Sequence, residues 1–161
     1  MISVLEWGDR VASLTMLSTP NRGTSLADIA ARVLPGFAEE IIDLILNLFN
    51  MDWDGIYQLS HEYVEGVFNP AVPDDPGVAY FSFHGNGGEL HLILWPTFVV
   101  LRAVEGCNDG VIGCDSTRWG RDMGELPVDH WGIVGMIAGH LAFDHLAFYR
   151  DWAANLRTMG Y

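Results

Sequence analysis

Short apolar runs alternate along the chain with longer segments that carry apolar residues on one face only. Residues 11–17 and 78–83 are such runs, with β-branched or aromatic side chains, and they predict strands buried on both faces of a sheet. Helical periodicity follows each strand, at residues 25–33 and 94–104, and residues 144–159 predict a closing amphipathic helix. This order of strand, loop and helix predicts an α/β fold with a few mainly parallel strands flanked by helices.

The two ends of this pattern are less regular. Residues 1–7 predict the end of a helix, but no capping residue and no first turn precede them. Residues 125–128 predict a possible third strand. Three strands are few for an α/β sheet, which has on average about five or six. We therefore expect a truncated domain.

A helical block separates the first two predicted strands. Within residues 35–69, an apolar helix at 37–49 precedes an amphipathic helix at 55–68. A lid that faces an apolar ligand and a buried core helix give the same pattern, so the sequence leaves both open. We expect one domain, residues 1–161, with a helical cap or lid at about 35–69.

Composition narrows the classes of partner. Half of the 161 residues are apolar, which is enough for a core, and 8 basic against 21 acidic side chains give a net charge of −13. Such a chain repels phosphate backbones, so we expect no nucleic-acid partner. No apolar run reaches the roughly 18 residues of a membrane span, so we expect no integral membrane segment. Cys107 and Cys114 are the only cysteines; they could bridge or be free thiols, and the cellular compartment stays open.

Two side chains late in the chain are candidates for catalysis. Asp109 lies in an Asn-Asp-Gly turn, and His130 follows it in a later loop. Each alone is an ordinary loop residue, but an aspartate followed by a histidine is the second half of a Ser…Asp…His order. The aspartate would fix the imidazole tautomer, and the imidazole would accept the proton of a nucleophile. We predict Asp109 and His130 as catalytic residues.

The nucleophile of such a triad is not evident. No G-x-S-x-G string occurs, and the nearest match, around Ser25, ends in alanine and follows no strand directly. Ser25 is therefore predicted to be a helix N-cap. If the nucleophile does lie within the chain, Ser18 or Thr19 at the end of the first strand is the alternative.

Little in the sequence supports a metal site. His84 and His91 flank glycines and Glu89, a set that could hold zinc, but a turn is the preferred interpretation. His61 and Glu62 begin a zincin-like string whose second histidine is missing. The sequence predicts no metal and no cofactor.

Four segments together resemble bacterial triacylglycerol lipases and related esterases of the α/β-hydrolase superfamily. They are RVASLTMLSTPNRGTSLAD at 10–28, VAYFSFHG at 78–85, EGCNDGVIGCDSTRWG at 105–120 and PVDHWG at 127–132. The last two resemble the loops that bear the catalytic aspartate and histidine, which fall on Asp109 and His130. The chain departs from the family at Asn21, where a histidine is usual. Gly132 stands where some members have a calcium-binding aspartate, so no calcium is expected.

The resemblance implies a partial α/β-hydrolase fold and a carboxylic-ester hydrolase that acts on an ester or lipid substrate. It also implies that the nucleophile-bearing amino-terminal half is absent. An unpaired edge of the first strand would then favour a homo-oligomer or an N-terminal partner fragment. The competing interpretation is a catalytically inactive fragment or an interaction module.

Overall fold

A three-stranded parallel sheet forms the centre of the molecule. The computed structural model describes residues 2–32, 53–136 and 143–161. The strands, in spatial order, are β1 (Ser13–Leu17), β2 (Ala79–Gly85) and β3 (Arg121–Leu126). Both neighbouring pairs are parallel, which confirms the predicted α/β class and the parallel strands.

Helices occupy the crossovers between these strands, because parallel neighbours require long connections. The α-helices are α1 (Ser25–Arg32), α2 (Trp53–Tyr57), α3 (His61–Tyr63), α4 (Asn69–Ala71), α5 (Trp95–Val104), α6 (Cys114–Thr117) and α7 (His145–Met159). A π-helical turn, Val64–Phe68, joins α3 to α4. Short 3-10 turns lie at Gly8–Arg10, Leu92–Leu94 and Gly132–Val134.

The closing helix α7 covers one face of the sheet through aromatic side chains. Trp152 packs edge-to-face against Phe81 and Phe83 of β2, at ring-centroid distances of 5.4 and 4.9 Å. Its indole Nε1–H donates to Thr15 Oγ1 of β1 at 2.8 Å, so the buried polar atom of the indole is satisfied. The α7 helix is thereby fixed to both β1 and β2, and Asp144 caps it by accepting a hydrogen bond from the Ala147 N–H.

The opposite face of β2 carries polar side chains. Ser82 Oγ accepts from the backbone N–H of Trp119 at 3.0 Å, and the imidazole of His84 is buried beside α6. The carboxyl ends of β1 and β2 are joined by Ser18, whose Oγ accepts from the Gly85 N–H at 3.0 Å. Candidate functional loops therefore leave this end of the sheet, where α/β proteins usually bind ligands.

Several local predictions need correction. The predicted helix end at 1–7 is a set of turns, because Glu6 has a positive φ of 54° and interrupts helical geometry. β1 is not buried on both faces among the described residues, since Leu14 is 36% exposed. The strand predicted at 125–128 lies earlier, at Arg121–Leu126, because strand pairing with β2 outweighs its polar composition.

Two helix boundaries also differ from the sequence prediction. The single helix predicted at 55–68 is divided, because Ser60 caps a new helix by accepting a hydrogen bond from the Tyr63 N–H. Ser25 is not the cap of α1 but its first residue. The cap is Thr24, whose Oγ1 accepts from the Leu26 N–H, while the Ser25 N–H donates to a Glu105 carboxylate oxygen.

The apolar helix predicted at 37–49 lies outside the described residues, so the cap or lid at 35–69 stays a prediction. Its described part consists of α2, α3, the π-helical turn and α4. No helix in the described ranges has the length and apolar character that crossing a membrane demands.

Candidate active site

The loop that carries Asp109 is closed by a disulfide. It lies between α5 and α6, after the helix that the sequence predicts at 94–104. Cys107 and Cys114 are bonded, with Cα atoms 5.4 Å apart, which decides the pairing that the sequence left open. Inside this ring, Asn108 Oδ1 accepts from the Gly110 N–H, so the Asn-Asp-Gly turn is held by its own side chain.

The Asp109 carboxylate is fully buried and fixed by backbone donors. Its Oδ1 accepts from the N–H groups of Val111 and Ile112, at 2.9 and 2.7 Å. Two such donors reduce the free-energy cost of burying the carboxylate, because they replace hydrogen bonds to water. The second oxygen, Oδ2, faces His130.

His130 meets Asp109 through two contacts. Its Nδ1 lies 2.8 Å from Asp109 Oδ2, and its backbone N–H donates to the Asp109 carbonyl at 2.9 Å. Because an ionised carboxylate only accepts hydrogen bonds, Nδ1 carries the hydrogen and Nε2 is the basic nitrogen of the neutral ring. The structure thus brings together the two residues that the sequence predicted.

The electrostatic surroundings of His130 favour the imidazolium ion. Burial of the ring lowers its pKa, but the charge and hydrogen bond of Asp109, together with the charge of Asp129, raise it by more. The net pKa of His130 therefore lies above its ordinary value. Stabilisation of an imidazolium is what a general base needs when it accepts a proton during a reaction.

Asp129 is a site residue that the sequence reasoning did not single out. Its fully buried carboxylate accepts from the His91 N–H and from the Gly132 N–H, both at 2.7 Å. It thereby joins the segment before α5 to the loop that carries His130. Its only sequence signal is its position directly before His130, since surface loops are rich in aspartate.

An apolar cavity of about 190 Å³ opens next to His130. Its other walls come from α1, α2, the Asp109 loop and the segment after β1, namely Pro20, Thr24, Leu26, Ala27, Ile56, Leu59, Val111 and Ile112. A mainly apolar cavity with one titratable side chain in its wall suits a ligand that has an apolar chain and a reactive polar group.

The alternative nucleophile Ser18 is buried at the end of β1, and its backbone has a positive φ of 45°. Its Oγ is engaged with the Gly85 N–H, so its structural role is to join two strand ends. Thr19 follows it and lines a different groove, together with Gln58 and Tyr63.

The potential metal ligands are distributed differently from the sequence expectation. Among the described residues, the three potential ligands that lie close together are His84, Cys107 and Cys114. His84 does not form such a group with His91 and Glu89. His91 instead caps the 3-10 turn before α5. His61 pairs with Asp28, with 2.6 Å between Nδ1 and Oδ2.

Comparison with known proteins finds relatives among lipases and esterases. No protein-family model matches the sequence. The chain is 31% identical over 133 residues to "Triacylglycerol lipase 2" of Saccharomyces cerevisiae, a match that covers 77% of this chain and 37% of the yeast protein. The chain thus spans little more than a third of that relative.

Solved structures show the same fold. The mature form of the Bacillus licheniformis lipase BlEst2 matches with a TM-score of 0.66 and 22% identity, over 84% of this chain and 54% of that one. Its propeptide form matches with a TM-score of 0.67 and 21% identity, over 88% of this chain and 30% of that one. The metagenomic carboxyl esterase MGS0156 matches with a TM-score of 0.63 and 19% identity, over 82% of this chain and 40% of that one. In sequence the chain is similar to a triacylglycerol lipase, in fold it is similar to lipases and an esterase, and it corresponds to a part of their length.

Proposed function

We propose that the chain supplies the acid–base half of a carboxylic-ester hydrolase. The observation that carries this proposal is the pairing of the buried carboxyl group of Asp109 with His130 at the wall of an apolar cavity. His130 Nε2 accepts the proton of a serine hydroxyl as that hydroxyl attacks the ester carbonyl. It then donates the proton to the departing alcohol, and the cycle repeats with water.

The cavity sets the class of substrate. Its apolar walls bind the acyl chain, since transfer of apolar surface from water contributes roughly 25 cal/mol per Å². With a net charge of −13, the protein disfavours anionic substrates and accepts neutral esters. A neutral acyl ester is therefore the proposed substrate.

We propose that the nucleophile comes from a polypeptide segment other than these 161 residues, because the sequence contains no G-x-S-x-G string. We place that segment beside β1, whose outer edge has no strand partner among the described residues. A strand added there parallel to β1, as β2 is, ends at the same edge of the sheet, and the segment after β1 leads through Pro20 into the wall of the cavity.

An apolar groove of about 400 Å³ extends across β1 and β2. It is lined in part by Leu14 and Met16 of β1, with Phe68, Val72 and Trp119. Unpaired backbone groups next to apolar side chains are a template for pairing with another strand. The groove also supports the competing function, an interaction module whose partner is a second copy of the chain.

The test is a reconstituted enzyme. The part of the yeast relative outside the match, fused before this chain, is expected to give hydrolysis of p-nitrophenyl butyrate and a serine that reacts with a fluorophosphonate. The isolated chain is expected to do neither. A fusion that unfolds cooperatively but has no activity would contradict the hydrolase proposal.

The isolated chain separates the remaining possibilities. Hydrolysis by this chain that disappears in the His130→Ala variant would place the nucleophile within the 161 residues. Sedimentation of the Leu14→Arg variant, compared with the matched Leu92→Arg variant, tests the partner proposal. Only the first substitution introduces charge into the groove, so only it should reduce association. Equal association of both variants would exclude the groove as the surface through which copies of the chain associate.

A further inference from the structure

A buried imidazole lies against the disulfide that closes the Asp109 loop. A ring nitrogen of His84 and the Sγ atoms of Cys107 and Cys114 all lie within 4.8 Å of one another. His84 and Cys114 are buried, with 5% and 2% exposure, and Cys107 is partly exposed. Three side chains from β2, the loop and α6 thus converge from separate places in the sequence.

His84 has an unsatisfied polar atom. Its Nδ1 makes no hydrogen bond among the described residues, and the nearest carboxylate oxygen, of Asp122, is 3.7 Å away. A buried imidazole nitrogen without a partner costs free energy, so its retention calls for an explanation. Nothing in the proposed ester chemistry uses this ring, which lies on the polar face of β2.

Two thiolates and an imidazole form a donor set for a soft or borderline cation. Zinc binds cysteine sulfur and histidine nitrogen at about 2.0–2.3 Å. A ring nitrogen of His84 already lies within 4.8 Å of both sulfurs, and the two sulfurs, once reduced, have to move apart to occupy two corners of a tetrahedron around the ion. A carboxylate near the imidazole, here that of Asp122, is a common companion of a metal-bound histidine.

We propose that reduction of the Cys107–Cys114 disulfide converts this cluster into a zinc site that braces the Asp109 loop in place of the disulfide. A small dithiol delivers two electrons and two protons to the disulfide and becomes a cyclic disulfide itself. Zinc then binds the two thiols and His84, and the two thiol protons are released. The fourth position is filled by water, and the cation reaches the site past the partly exposed Cys107.

The experiment measures the binding of zinc ions to two samples of the 161-residue chain. In one sample the disulfide is intact; in the other it has been reduced with a dithiol, and the dithiol has then been removed. We expect one equivalent of zinc to bind to the reduced chain and none to the oxidised chain. Zinc should raise the melting temperature of the reduced chain only. Cobalt as a substitute should give the absorption of a tetrahedral site with thiolate ligands.

Variants identify the ligands. His84→Gln and Cys107→Ser are expected to weaken zinc binding at least about ten-fold, because each removes one of three protein ligands. His91→Gln is the matched control, since His91 lies in the following segment and outside the cluster. If a variant fails to fold, the comparison of zinc binding by the oxidised and the reduced wild-type chain still tests the proposal. Equal zinc binding in both redox states, no binding to the reduced chain, or binding unaffected by His84→Gln overturns the proposal.

Discussion

His130 is joined to Asp109 by its side chain and by its backbone at once. The ring nitrogen Nδ1 lies 2.8 Å from the carboxylate, and the backbone N–H donates to the carbonyl of the same aspartate at 2.9 Å. The second contact fixes the distance between the two loops independently of side-chain rotamers. The geometry of the pair is therefore fixed within the chain itself, which is the preorganisation that the proposed proton transfer needs.

The pKa of His130 should fall when the carboxylate is removed. Burial lowers this pKa, and the charge and hydrogen bond of Asp109 raise it above the ordinary value. In Asp109→Asn the raising contributions of Asp109 are lost and burial remains, so the midpoint should move to lower pH. An NMR titration of the His130 ring measures it. The matched variant Asp28→Asn, which removes the partner of His61, should leave the midpoint of His130 unchanged, and a shift as large as that of Asp109→Asn would refute the assignment.

Stability should depend on pH through the same pair. A histidine whose folded-state pKa is raised stabilises the protein fully below its unfolded value of about 6.5, and this stabilisation is lost as pH rises through the folded value. The free energy of unfolding of the wild type, minus that of His130→Asn, should therefore be largest below about pH 6.5 and decrease as the pH rises above that value. Urea unfolding at several pH values provides the measurement. A difference that grows with pH would mean that the pKa of His130 is lowered in the folded state.

Gly85 is expected to be required for the approach of the Asp109 loop to β2. A Cβ at this position would lie 2.6 Å from the Val128 carbonyl oxygen and 2.9 Å from the Asp109 Cβ. Gly85→Ala should thus lower the free energy of unfolding by about 1–3 kcal/mol. Gly66→Ala is the control: its Cβ would meet nothing within 4 Å in a helical turn, so it should stabilise by roughly 0.5–1 kcal/mol. Urea denaturation of both variants tests this, and equal effects would contradict the packing.

Loss of the disulfide should destabilise the oxidised chain. Cys107 and Cys114 are separated by 7 positions, and the closure entropy of so short a loop is about 2.5 kcal/mol in the chain-entropy model. The double variant Cys107→Ala/Cys114→Ala should lose about this much in urea unfolding without zinc. A reductant should destabilise the wild type by a similar amount and leave the double variant unaffected. A wild type that is insensitive to reductant would show that the bridge contributes nothing.

The sequence predicts Asp109 and His130 as a candidate pair, and it predicts the order of the elements, for physical reasons. The strand at Ala79–Gly85 is buried by long apolar side chains, so its composition alone reveals it. Asp109 and His130 are singled out as candidates by residue type and order, since one of the known triad orders, Ser…Asp…His, has a carboxylate before an imidazole late in the chain. Their two contacts depend on how two loops meet, and no local pattern encodes that distance.

Other features depend on long-range contacts. The third strand, Arg121–Leu126, has a polar composition and forms because β2 offers it a parallel edge. Thr24 caps α1 while the neighbouring Ser25 N–H is taken by Glu105, a contact between residues 80 positions apart. The spacing of Cys107 and Cys114 is compatible either with two free thiols or with a disulfide. The folded loop places the two residues close enough to form the disulfide.

The central claim is that Asp109 and His130 are the acid–base pair of an ester hydrolase. The most direct measurement is kcat/KM for p-nitrophenyl butyrate in the reconstituted enzyme, with His130→Ala compared with His61→Ala. Both histidines pair with an aspartate, but only His130 lines the cavity. We predict a loss of at least about a thousand-fold for His130→Ala and less than about three-fold for His61→Ala. Equal activities of the two variants would contradict the account.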